Sequence, residues 1–259
     1  GVGTILHYDG TRWSTMASGT GQQLQGVWGS SRTDVFAVGN SGTVLRFDGT
    51  TWTNMAFGWG DYLYAVWGTS STDVYASSWG QVFHYNCTTW SNMPDAPAQG
   101  VFGIWGTSPS AIYTVQASGA ITRYDGTAWS TMWSGVSVGL SGIWGTSSGS
   151  VFVTGGNGTI IRGIRGATVS LTTGSWVVTP QGSQLQVTAT VRDAADAVVN
   201  GVPLRWTTSD PAVATVDAAG LVTAVGLGTA TITAAAAGGT YGTVPVTVGG
   251  VVSCAIMVI

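Results

Sequence analysis

Lysine and glutamate are absent from this 259-residue chain: its eight basic residues are all arginine and its eleven acidic residues all aspartate. Charged residues make up only 7% of the sequence, where about 25% is ordinary. With the straight-chain helix formers missing and glycine, threonine, serine and valine throughout, long helices are nearly excluded. A net charge of −3 supplies no basic stripe, which argues against a nucleic-acid partner. No run reaches the ~18–20 apolar residues of a membrane span. Cysteine is scarce, with Cys87 and Cys254 only, and two thiols say little about redox compartment. The chain opens on Gly1 with no methionine and no signal-peptide pattern, as a processed protein or a fragment does.

What is present is glycine, tryptophan and short apolar runs. Forty glycines are about twice the usual share. Thirteen tryptophans and a hydrophobic fraction of 44% leave enough apolar surface for real cores, so disorder is excluded too. A lysine-free surface of serine, threonine, glycine and asparagine points to an extracellular protein.

The tryptophans are periodic. Trp28, Trp67, Trp105 and Trp144 stand 39, 38 and 39 residues apart, each in a V/I-W-G-S/T-S string, and Trp13, Trp52, Trp90 and Trp129 form a second ladder. Each period holds four short apolar runs separated by Gly, Asp-Gly or Ser-rich turns, the pattern of strands joined by hairpins. Four antiparallel strands per ~40 residues is one blade of a β-propeller. The stretch from Gly3 through "GTILHYDGTRWSTM" to "LQGVWGSSRTDVFAVGNSG" resembles the Trp-Gly-Ser-Ser, Asp-Val-Phe-Ala-Val-Gly propeller repeats common in secreted bacterial proteins. That resemblance covers residues 1–164 and implies fold, since propellers host enzymes, lectins and scaffolds alike.

With strands labelled A (innermost) to D, the chain begins at a C strand, Gly3 to Asp9, and carries a fifth C strand at Gly158 to Ile164. Three arrangements stay open. Leu140 to Thr154 supply A and B while Gly3 to Met16 supply C and D, closing about four blades without free edges; or an open arc is completed by a neighbouring molecule; or the repeats belong to a larger ring.

The pattern changes after Arg165. Residues 165–170 read as a linker, and 171–249 as alternating sandwich strands, among them Gln184–Val191, Leu204–Thr208, Ala230–Ala234 and Thr243–Val248. The strings Val202-Pro203-Leu204-Arg205-Trp206, Ser209-Asp210-Pro211, Val213 to Asp217, Gly220 to Ala224 and Gly228 to Thr233 closely resemble a bacterial Ig-like domain of group 2, the intimin/invasin-like type. The resemblance implies an extracellular spacer or adhesion module in which Trp206 fills the core. The fold class expected is therefore all-β: a small propeller, an Ig-like sandwich, and the apolar tail 250–259.

No residue pattern promises catalysis. His7 and His84 share one repeat position with Arg46, Arg123 and Arg162, which suits a hydrogen-bonding rung between blades better than an active base. Asp9, Asp48 and Asp125 fall in Asp-Gly turns, where the side chain bonds nearby backbone N–H groups. Metal-ligand motifs and phosphate loops are missing, so no cofactor or metal is expected. The tryptophan ladders read as core. Phe57, Trp59, Trp79 and Trp133 stand outside the ladders, in D–A and B–C loops on one face, as an expected binding surface. Cys87 replaces a turn glycine and Cys254 lies in the tail, which makes a disulfide between them attractive, within or between chains.

In the tail, burying Val251, Val252, Ile256, Met257, Val258 and Ile259 yields about 9–18 kcal/mol gross. Fixing nine residues costs about the same, so the tail gains only where it completes a preformed sheet edge, as an added strand does. These features make the expected function a self-assembling surface filament or array, a homo-oligomer or polymer joined by the tail. The alternative is a carbohydrate-binding adhesin using Trp59, Trp79 and Trp133 on glycans.

Overall fold

A computed structural model describes residues 3–55, 57–146, 150–164, 168–173, 177–178, 181–193, 196–236 and 240–249. The chain divides into two compact units, Gly1–Ile161 and Arg162–Ile259. Neither contains an α-helix among the described residues.

In the first unit, β1 (Ile5–Tyr8) and β2 (Trp13–Met16) form a two-stranded antiparallel sheet. Three four-stranded sheets follow, each a simple meander. The first is β3 (Leu24–Ser31), β4 (Asp34–Gly39), β5 (Val44–Phe47) and β6 (Trp52–Asn54). The second is β7 (Leu63–Ser70), β8 (Asp73–Ser78), β9 (Val82–Tyr85) and β10 (Trp90–Asn92), and the third β11 (Val101–Ser108), β12 (Ala111–Gln116), β13 (Ile121–Tyr124) and β14 (Trp129–Met132). A three-stranded sheet of β15 (Leu140–Gly145), β16 (Ser150–Gly155) and β17 (Ile160–Ile164) ends the series. These are propeller-type blades, with the inner strands laid side by side: β3 on β7, β7 on β11, β11 on β15.

Two local devices recur. The outer turns are held by a carboxylate or amide: Asp9 Oδ1 accepts from the backbone N–H of Thr11 (2.8 Å) and Arg12 (2.9 Å), and Asp48 and Asp125 do the same. Their pKa values fall as a result. Asp9 is lowered to about 2, first by the Thr11 hydroxyl, and Asp125 to about 2, first by the Ala128 N–H. In the second full blade Asn86 makes the same bonds without charge. The other device is the Trp-Gly pair on the inner strand, where the register shifts by a β-bulge beside Gly29, Gly68 and Gly106. A Cβ on Gly68 would lie 2.8 Å from the Trp28 ring, one on Gly106 2.7 Å from Trp67, and one on Gly145 2.6 Å from Trp105. The outer end of each of these indole rings therefore lies against the glycine of the next blade, and the bare Cα is what lets it do so.

Among the described residues the strand order speaks against the first of the three arrangements and leaves the other two open. β17 occupies the C place beside β16, β1–β2 stand as a separate sheet, and no comparable packing joins β15 to β3 among the described residues. Residues 3–16 thus do not complete 140–154, and the closed ring is not formed. The local reason is that Gly158 to Arg162 reads Gly-Thr-Ile-Ile-Arg, almost the Gly-Thr-Ile-Leu-His of Gly3 to His7, and it is the nearer strand in sequence.

The second unit is a sandwich of two four-stranded sheets. β18 (Thr168–Thr173), β20 (Gln184–Arg192), β23 (Leu221–Ala224) and β22 (Ala214–Val216) make one, in that order. β19 (Val177–Val178), β25 (Tyr241–Val248), β24 (Gly228–Ala236) and β21 (Leu204–Thr208) make the other. Val187, Val222, Ile232, Val244 and Val246 fill the space between them, and Trp206 packs against that cluster. Gly220, at φ +82, has no room for a Cβ, which would meet Val187 O and the Trp206 ring. One boundary needs correction: Thr168 to Ser170, expected as linker, are strand and pair with Arg192 to Thr190. Residues 165–167 and the tail 250–259 lie outside the described residues.

Candidate functional site

At two of the five histidine and arginine places, Arg46 and His84, the side chain bonds an aspartate on the neighbouring strand of its own blade. Arg46 on β5 puts Nε and an Nη each 2.8 Å from Oδ1 of Asp34 on β4. In the next blade His84 Nε2 lies 2.7 Å from Asp73 Oδ1, with its ring stacked on Tyr75 at 4.4 Å. Tyr75 donates to the same oxygen at 2.9 Å, and Thr69 donates to the other. Burial first, then the Asp73 hydrogen bond and charge, push the Tyr75 phenol well above its usual value. The phenol therefore stays a donor. The carboxylate is spent on holding β8 to β9, and nothing in the cluster is poised to attack a substrate. The expectation of a blade-to-blade rung is corrected: cross-strand neighbours 11 and 12 residues apart meet before neighbouring blades do.

The loop aromatics differ in burial. Phe57 is buried, edge-on to Phe83 (4.7 Å) and Trp90 (5.7 Å) of the next blade, so it is a core residue and not part of a binding surface. Its repeat partners Ser18 and Ser134, two residues after Met16 and Met132, are buried as well, while Asp95, two residues after Met93, is exposed. Trp59 is exposed and leans on Phe83 at 5.0 Å. Trp79 is exposed and stands edge-on to Phe102 at 5.8 Å. Trp133 is half-buried in a shallow hollow with Val136, Val138 and Thr159, shared with none of the other three. Of the four, Phe57 and Trp59 touch each other, edge-on at 5.1 Å.

The two ends of the blade series carry a stronger signal. In the interior, Trp67 and Trp105 are each 8% exposed, while Trp144 at the last blade is 60% exposed. At the first full blade Val27 is 69% exposed, against 7% for Val66 and 5% for Ile104 in the same repeat place. Trp13 is exposed where Trp90 is buried, and Ile160 where Val44 and Val82 are buried. The expectation that both ladders are core holds for Trp67, Trp90 and Trp105, is met in part by the half-buried Trp28, Trp52 and Trp129, and fails at Trp13 and Trp144 at the ends.

Cys87 is exposed and has no disulfide partner among the described residues; it stands at φ +80, in the turn position held by Gly10, Gly49 and Gly126 at φ +100 to +102. Cys254, Val251, Val252, Ile256, Met257, Val258 and Ile259 lie outside the described residues. Among the described residues no three His, Cys, Asp or Glu side chains gather, and no helix is long and apolar enough to cross a membrane.

Residues 197–238 match the intimin immunoglobulin-like domain. That stretch runs from just before β21 to just beyond β24. No curated protein matches the chain. Among solved structures, the computationally designed Ika8 protein is similar over 86% of this chain and 83% of its own, at 12% identity and a TM-score of 0.50. YCF48 from Cyanidioschyzon merolae is similar over 86% of this chain and 85% of its own, at 14% identity and a TM-score of 0.46. YCF48 bound to D1 peptide reaches 0.48 at 15% identity, over 87% of each chain. At such identities the likeness concerns fold alone.

Proposed function

We propose that this chain is a non-catalytic structural subunit of an extracellular or cell-surface assembly that self-associates. One observation carries the reading: positions that interior blades bury, Val66 and Trp67, are open in their equivalents Val27 and Trp144 at opposite ends of the series. Exposed apolar faces of this kind mark interaction sites, and low surface charge gives copies little mutual repulsion. The match of residues 197–238 to the intimin immunoglobulin-like domain supports a surface location and a spacer role for the second unit. The tail, residues 250–259, is proposed as an added strand that extends the assembly.

Light scattering and negative-stain microscopy over a concentration series test the reading. Growth into oligomers or fibres is expected, and a monomer at all concentrations overturns it. Deleting residues 250–259 isolates the tail: unchanged assembly removes it from the account. A second reading, a carbohydrate-binding adhesin, draws on the exposed rings of Trp59 and Trp79. Glycan-array binding abolished by Trp59→Ala or Trp79→Ala would favour it.

A further inference from the structure

The two ends of the blade series are complementary in the register of the repeat. At one end, β15 and β16 supply an inner pair with Trp144 projecting, and β17 in the third place is an imperfect fit. It has Gly163 where β1 has Tyr8, and its sheet has no fourth strand among the described residues. At the other end, β1 and β2 are a third and fourth strand with their aromatic pair intact. Tyr8 and Trp13 stand 5.3 Å apart, as Phe47 and Trp52 do at 5.2 Å, Tyr85 and Trp90 at 5.3 Å, and Tyr124 and Trp129 at 5.1 Å. Between β1 and the first full blade lies a hollow whose apolar lining, Ile5, Leu6, Leu24, Val27 and Trp52, is joined by Thr4 and Gln25. On the same inner strand as Val27 stands Gly29, where the atoms nearest to an added Cβ belong to its own blade, Asp34 O and Val35 Cγ2 at 3.0 Å. Every other glycine of this kind, Gly68, Gly106 and Gly145, carries the tryptophan of the preceding blade.

We propose that a second copy of this chain fills the hollow. β15 and β16 of one copy pair with β1 and β2 of the next, displacing β17, and Trp144 comes to lie on Gly29 of the second copy. The contact repeats the one that joins Trp67 to Gly106, so the interior blade interface is its template. It is heterologous, using different surfaces on the two copies, and so builds rings or fibres. This rests on the self-association proposed above and specifies its interface.

The interior register fixes the test. Arg46 faces Phe36, His84 faces Tyr75 and Arg123 faces Tyr113, so His7 of one copy will face Phe152 of another. In the full chain with Cys87→Gly and Cys254→Ser, one preparation carries His7→Cys and another Phe152→Cys. A short thiol-to-thiol cross-linker is expected to join the mixture into dimers, and Trp144→Ala in the Phe152→Cys copy to lower the yield about tenfold or more. A double variant carrying both cysteines is expected to give a ladder of oligomers. A cross-linked monomer from the double variant means closure within one chain and overturns the proposal. Absence of cross-links while the parent chain still associates by light scattering also overturns it, and leaves self-association standing through another surface. A parent chain that stays monomeric removes self-association itself.

Discussion

The interior blades and the end sheets are written in nearly the same sequence, and they meet different fates. Trp67 and Trp144 sit in Val-Trp-Gly-Thr and Ile-Trp-Gly-Thr strings, yet the first is buried and the second largely open. The repeat determines strand, register and turn within each blade, because those depend on local hydrogen bonds and on alternation. Burial of the blade face depends on the neighbour, which the local string does not encode. The difference teaches that a propeller repeat is a half-interface: each unit carries both a tryptophan and the glycine that receives the one before it. An open series therefore presents one unused copy of each, Trp144 and Gly29.

The largest effect should separate the two tryptophans. Trp67→Ala is expected to lower unfolding free energy by about 3–5 kcal/mol, the cost of deleting a buried aromatic. Trp144→Ala should change it by less than about 1 kcal/mol in a dilute, dissociated sample. Denaturant unfolding checks both, and equal losses would remove the contrast. Gly106→Ala comes next, at about 1–3 kcal/mol, because its Cβ would meet the Trp67 ring at 2.7 Å and Ala111 O at 2.8 Å.

Cys87→Gly should stabilise the chain by about 1 kcal/mol, since it restores the residue that tolerates φ +80; a rise in thermal midpoint reads it. The smallest effect is the acid limb. Asp9 and Asp125 have folded values lowered from 3.8 to about 2. Their contribution is complete above the unfolded value and is lost as pH falls through that interval. Asp125→Asn should flatten the pH dependence between about 4 and 2. The turn with Asn86 already makes the same bonds uncharged, so Asn86→Asp should steepen it.

Much of this architecture is legible in the residues. The Trp spacing, the Asp-Gly-Thr turns and the alternation in 184–191 and 204–208 all lead to strands where strands are found. Three features were hidden. Phe57 looked like a surface residue because its burial depends on Phe83 and Trp90, more than twenty residues away in the next blade. Asp34 and Arg46 share repeat positions that say nothing about which neighbouring strand each reaches. The start of β18 alternates, Thr168-Val169-Ser170-Leu171, but over too few residues to set its boundary, which its pairing to β20 defines. The glycine surplus, by contrast, has a local cause at positions such as Gly68 and Gly220, where a tryptophan ring takes the place of a side chain.

The most direct measurement is sedimentation equilibrium of the intact chain beside its Trp144→Ala variant, over a hundredfold range of concentration. Self-association through the blade ends predicts a mass that rises with concentration, and a dissociation constant weakened by about tenfold or more in the variant. A parent chain that remains monomeric, or a variant that associates as tightly as its parent, would contradict it.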